Sequence, residues 1–203
     1  MFIELTHPFI FRCFDVNCLL DNCQNLLNDC HKLNTFLNKV EAQSKDPRCQ
    51  DGDKYKGDAL ELFAEALIKF SPIDGRIGIT DYKPVIENDT GVDGVGIGNN
   101  GNPATVQVKH RIANWILTAD TDHLSNFPNA SFMKYGVKPE DDKNMLIITT
   151  AKELHHYTTT EMFGNKVRCL NRENLKHLVD DNKMFWKLFR DEWIAAIERN
   201  KKS

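Results

Sequence analysis

An α/β fold, a mixed β-sheet flanked by helices, is what the 203-residue sequence predicts, and three features carry that prediction. Short β-like runs broken by turn residues fill 76–111, and the continuous apolar run "MLIITT" from Met145 suits a buried central strand. Stretches of helical periodicity stand before, between and after them.

Taken in order, Val16, Leu19, Cys23, Leu26, Cys30, Leu33, Leu37 and Val40 recur in steps of three and four, the spacing of a helix that buries one stripe. Such a helix packs within its own chain or pairs with a second copy, since a strict heptad also suits a two-helix seam. The polar run Glu41–Asp58, with Pro47 and two glycines, reads as a linker. "DALELFAEALIKF" from Asp58 predicts a second helix with Asp58 as its cap, burying Leu60, Phe63, Ala64 and Leu67. Three strands follow, in "IGITDYKPVI", "GVDGVGIG" and "ATVQVKHR", with "NNGN" as the hairpin turn between the last two. Residues 112–127 are expected to be helical, 128–144 a loop, and "AKELHHYTTTEMF" a helix after the "MLIITT" strand. "KVRCL" reads as a strand, and one or two closing helices complete the chain, with Asn171 as a cap. The expected organisation is an N-terminal helical extension over 1–50 and a sheet-containing domain over 51–203.

Composition narrows the function. There is no run of about 18 uncharged apolar residues and no basic stretch ahead of the first apolar one, so neither a membrane span nor a signal peptide is expected, and a cytoplasmic location is. Five of the six cysteines fall in the first quarter without a CxxC; Cys23 and Cys30 on the helical seam read as small reduced hydrophobes rather than zinc ligands with His31. A formal net charge of −3 gives no overall attraction to nucleic acid, so a DNA-binding role needs cations gathered locally or supplied by metal ions.

One stretch carries chemistry. Side chains alternate along a strand, so in "TVQVKH" Gln107 and Lys109 share the face opposite Val106 and Val108. A turn centred between Asn100 and Gly101 sets Asp93 opposite Val108, within one residue of both polar groups. A carboxylate with neighbouring oxygen ligands suits Mg²⁺, and an adjacent ammonium can stabilise charge or help deprotonate a metal-bound water. That chemistry fits phosphodiester hydrolysis. An isolated QxK is more often part of a solvated strand face; Asp93 across the hairpin and Glu61 on the preceding helix favour a site.

The set Asp93 … Gln107-Val108-Lys109, after a helix carrying Glu61, resembles the restriction-endonuclease-like PD-(D/E)xK nucleases in their Mrr-like form, in which glutamine replaces the second acid. "KGDALELFAEAL" is similar to the leading helix of that group, "GVDGVGI" to its acid-bearing strand, and "NMLIITT" with "KVRCLNRENLKHLV" to its closing half. The resemblance covers Lys56 to Asp181. It implies a metal-dependent DNA endonuclease that leaves 5′-phosphates, with Mg²⁺, or Mn²⁺ as substitute, held by Asp93, Gln107, the Val108 carbonyl and Glu61. It makes Lys109 the catalytic lysine. Glu61 stands ahead of Glu65 because the Gly57-x-x-Leu60-Glu61 spacing matches the group. It also implies a helicase or other DNA-processing partner; a cut on both strands of a duplex needs two sites and so a homodimer, and an Asn- and Lys-rich composition suits a phage or mobile-element setting. His110 and Arg111, next along the chain, are candidates for phosphate contact. Adjacent His155 and His156 point apart on a helix and read as surface residues, while Phe185, Trp186, Phe189 and Trp193 read as core. The alternative function is a non-catalytic DNA-binding or assembly protein that retains the nuclease fold.

Overall fold

The computed structural model describes residues 3–9, 24–70, 77–85, 91–141, 143–164 and 166–201. They form two compact units: Met1–Phe70 with Lys176–Ser203, and Ser71–Leu175. Cys13, Cys18, Cys23 and residues 16–23 of the long amphipathic helix expected from Val16 lie outside the described residues.

In the helical unit that periodicity does not give one continuous helix. Residues 25–29 form turns, with Asn28 Nδ2 donating to Asn25 Oδ1 at 2.8 Å and Asp29 in the left-handed region at φ 57°. Asn and Asp bond locally and tolerate that conformation, so they break a helix that the apolar spacing alone would continue. Helix α1, Leu33–Ser44, begins beyond the break and buries Leu33, Phe36, Leu37 and Val40. Its first free amide is capped from a distance, Leu33 N donating to Asp180 Oδ1 at 2.8 Å. Helix α2, Gly52–Phe70, starts six residues earlier than expected. The reason is Asp51, whose carboxylate accepts from Lys54 N at 2.9 Å and so caps the first turn in place of Asp58.

Phe36, Phe63, Phe185, Trp186 and Phe189 fill the core of this unit, with Phe36 and Phe63 stacked at 5.4 Å and Phe185 edge-on to Trp186 at 5.1 Å. The Trp186 indole donates to Val179 O at 2.8 Å, which satisfies its one polar atom inside the core. These rings are core, as their spacing implies.

The second unit holds a five-stranded mixed sheet. Its strands are β1 (Ile79–Pro84), β2 (Gly94–Gly98), β3 (Pro103–Lys109), β5 (Met145–Thr149) and β7 (Val167–Leu170), side by side in that order. β1, β2 and β3 are antiparallel, and β5 and β7 run parallel to β3. Strand β5 is buried along its whole length, as its uninterrupted apolar run requires.

Three expectations are corrected here. Residues 112–127 are mostly turns, with the two-residue strand β4 (Ile116–Leu117) beside β6 (Glu153–Leu154), because the Asp122 carboxylate binds the backbone of Thr118 and diverts it from a helix. Helix α3, Asn126–Met133, occupies the start of the expected loop, and Pro128 fits its first turn, where an amide lacks a partner anyway. "AKELHHYTTTEMF" supplies β6 and a π-helical turn at Thr158–Met162 instead of an α-helix. Helix α4, Arg172–Val179, opens on a reciprocal cap, Asn174 N to Asn171 Oδ1 at 3.0 Å and Asn171 N to Asn174 Oδ1 at 3.1 Å. The last helix, α5, spans Lys183–Lys201. Among the described residues no helix is long and apolar enough to cross a membrane.

Candidate functional site

The β2–β3 hairpin sets the site's geometry. Gly98 N donates to Asn102 O at 2.9 Å across a three-residue loop whose last member, Gly101, has φ +78°. A loop of that length needs a left-handed residue at its end, which glycine supplies without strain. It centres the hairpin on Asn100, half a residue from the position the sequence predicts. Gly94 therefore pairs with Val106, and Asp93 comes opposite Gln107 rather than Val108. A polar network pins the tip: Asn102 Nδ2 and Asn100 Nδ2 both donate to Asp141 Oδ1, at 2.7 and 3.2 Å, and Asn144 Nδ2 donates to Asn100 Oδ1 at 3.0 Å. A slip of one residue would break it and turn the strand's faces over.

Asp93 continues the ladder with its side chain. Its backbone N donates to Val106 O at 2.8 Å, and its Oδ2 accepts from Val108 N at 2.6 Å. A strand N–H thereby fixes the orientation of the carboxylate. The N–H and C=O of one strand residue leave on the same side, so the Val108 carbonyl also faces the Asp93 edge.

Gln107 does not line an exposed polar surface. Its face of β3 is covered: Thr105 bonds to Ser131 of α3 at 2.8 Å, and Ile147 stands in register with Gln107 on β5. Thr105, Gln107 and Ile147 are each 0 % exposed. The carboxamide tip lies against Gly91, where an added Cβ would sit 2.9 Å from Nε2, in a backbone turned to φ +96°. Among the described residues neither Nε2 nor Oε1 has a hydrogen-bond partner. An unpaired buried amide costs about 1–3 kcal/mol, so native chains rarely keep one without a use for it. Lys109 shares this face by alternation and is partly exposed at the end of β3, while its carbonyl accepts from Thr149 Oγ1 at 2.7 Å.

Arg111 is largely engaged within the fold. Its Nε donates to Asp122 Oδ1 at 2.6 Å, and its Nη1 to His110 O at 2.7 Å. Asp122, fully buried, also accepts from Thr118 N at 2.8 Å and from the Trp115 indole at 3.2 Å to each oxygen. His110 is partly exposed. Nothing in the spacing of "TADTDHL" marks Asp122 as the buried organiser of this loop, because its partners come from Arg111, Trp115 and Thr118 rather than from a helical or strand period.

The two helix glutamates belong to the helical unit. Glu65 is fully buried and accepts from Thr6 N, Thr6 Oγ1, His7 N and Lys69 Nζ, at 2.8, 2.7, 2.9 and 2.6 Å. Glu61, 24 % exposed at its side chain, bonds to His7 Nε2 at 2.7 Å. His7 Nδ1 accepts from Phe9 N at 3.1 Å, so the proton resides on Nε2 and is donated to Glu61. Glu65 thus holds the segment Thr6–His7 on α2, and Glu61 retains the more open carboxylate.

Burial raises the thiol of Cys30 and pushes that of Cys169 up to about 12. Such thiols are packed and unreactive, as the sequence leads one to expect of Cys30. Among the described residues no group of three or more His, Cys, Asp and Glu side chains is placed to hold a metal ion. An oxygen set built on Asp93 would therefore rely on the Gln107 carboxamide and the Val108 carbonyl. The donor types present suit a hard divalent cation, and the unpaired Gln107 amide is the group such an ion would engage. No known family model, no curated protein and no solved structure matches the chain.

Proposed function

We propose that the chain is a Mg²⁺-dependent endodeoxyribonuclease of the restriction-endonuclease-like, Mrr-like kind. The observation that carries this reading is Gln107, a fully buried carboxamide with no partner, opposite the Asp93 carboxylate and on the face of Lys109. The sheet supports it: three antiparallel strands followed by two parallel ones, with the acid just before the second strand and the QxK at the end of the third.

Asp93, Gln107 and the Val108 carbonyl would hold the cation. When bound, such an ion lowers the pKa of a coordinated water and polarises a phosphoryl oxygen, and Mn²⁺ can take its place. The chain supplies orientation and charge. The Val108 N–H holds the Asp93 carboxylate in one direction, and the covered face keeps Gln107 from bulk water. Lys109 offers its ammonium to the charge that grows on the phosphate oxygens. His110 and the remaining guanidinium nitrogen of Arg111 are suited to the adjacent phosphate. Cutting both strands of a duplex calls for two such sites, hence a homodimer on DNA.

A second reading, a DNA-binding or assembly protein that keeps this architecture without catalysis, is favoured by the lack of a cluster of three metal-ligating side chains among the described residues. Supercoiled plasmid incubated with Mg²⁺ or Mn²⁺ separates the two. Catalysis predicts nicking that falls by about 10²-fold or more in Asp93→Ala and Lys109→Ala. Nicking untouched by both substitutions contradicts the site, and binding without cleavage selects the second reading.

A further inference from the structure

Between the end of β3 and β4 the chain presents three large apolar side chains within five residues: Ile112 is 69 % exposed, Trp115 38 % and Ile116 40 %. A turn closed by Trp115 N to Ile112 O at 3.0 Å holds the first two together. The indole is fixed, because its N–H points inward to both oxygens of the buried Asp122 carboxylate. A surface tryptophan ordinarily keeps that N–H for water or a partner. Here the polar handle is consumed inside the protein, and what remains outward is ring surface.

The same Asp122 oxygen takes Arg111 Nε, so indole and guanidinium lie side by side. Lys152 adjoins them, its backbone N donating to Trp115 O at 2.8 Å, and its ammonium makes a long contact of 3.8 Å with Glu153. An apolar surface flanked by Arg111 and Lys152 complements a polyanion that also carries flat apolar faces.

We propose that this turn stacks unpaired nucleobases, so that DNA with a single-stranded segment is bound in preference to an uninterrupted duplex. In a duplex the base faces are stacked on one another and only edges and phosphates are open; in a single strand every base offers a face to an aromatic ring. The inference deepens the nuclease reading given above and rests on it for the identity of the polymer.

Metal-free binding by the full chain tests it. A fluorescein-labelled oligothymidylate of about 20 nucleotides and a blunt duplex of the same length are titrated in EDTA. Wild-type protein should prefer the single strand, and Trp115→Ala should weaken that binding by about 5- to 100-fold while changing duplex binding by about twofold at most. The other two tryptophans, Trp186 and Trp193, are buried at 1 % and 0 %, so quenching of tryptophan emission by unlabelled oligothymidylate should report Trp115 and vanish in Trp115→Phe while binding persists. Ile112→Ser, at an open position, gives a second variant that leaves the core intact and should weaken single-strand binding alone. Equal losses on both DNAs, no quenching, or no DNA binding at all would overturn the proposal, the last assigning the turn to a protein partner. Quenching by a protein that binds DNA but does not nick plasmid with Mg²⁺ or Mn²⁺ would sink the nuclease reading and leave base stacking standing.

Discussion

Each unit of the molecule holds a fully buried polar side chain, and the two are treated in opposite ways. Glu65 in the helical unit receives four donors and holds the segment Thr6–His7 on its helix. Gln107 in the sheet unit receives none, although it stands beside strand β5 and the apolar Ile147. A group that the fold has already satisfied is part of the scaffold. A buried amide left without a partner is a cost that selection tolerates where something outside the chain uses it. Asp122 extends the contrast within the sheet unit, because all its capacity goes to Arg111, Trp115 and Thr118.

Substitutions should separate these classes. Glu65→Ala leaves two backbone amides and the Thr6 hydroxyl without their acceptor and removes the counter-charge of Lys69, which keeps only the Glu4 carbonyl, and urea unfolding should show a loss of about 3–5 kcal/mol. Glu61→Ala, at a partly open carboxylate with a single partner, should cost about 1 kcal/mol in the same assay. Asp122→Ala should cost about 2–3 kcal/mol, below the value for a wholly buried pair because the Arg111 side chain is 32 % exposed. It should also shift Trp115 emission to the red as the indole is released. The smallest effect concerns pH. Burial raises the Cys169 thiol from 9.0 to about 12, so the folded chain binds its proton where the unfolded chain does not. Its contribution to stability is complete below pH 9 and declines as pH rises toward 12. The urea midpoint of Cys169→Ala should therefore fall less than wild type between pH 8 and pH 10.

How much of this was legible in the sequence follows from the range of the interactions. The three strands before Arg111, the "MLIITT" strand and the aromatic core announce themselves by local period and apolar content. The hairpin turn was legible too, but its centre was not, because the three-residue loop depends on Gly101 adopting φ +78°. Residues 112–127 misled for a different reason. Asp122 takes its partners from Arg111, Trp115 and Thr118, and no periodicity records such a knot. The burial of Gln107 was hidden as well. Alternation tells which residues share its face, but not that α3 covers that face beside Ile147 of β5. The pairing of Glu65 with Thr6 and His7 spans more than fifty residues, so the spacing that ranks Glu61 ahead of Glu65 carries no sign that Glu65 is bound to the scaffold.

Whether Gln107 serves a ligand rather than the fold is measured directly by Gln107→Met, since methionine fills a similar volume without hydrogen-bonding atoms. Unfolded by urea without divalent ions, the variant should be as stable as wild type or more stable, by up to about 1–3 kcal/mol, and should have lost Mg²⁺- or Mn²⁺-dependent nicking. A variant clearly less stable than wild type, or one that still nicks at the wild-type rate, would contradict it.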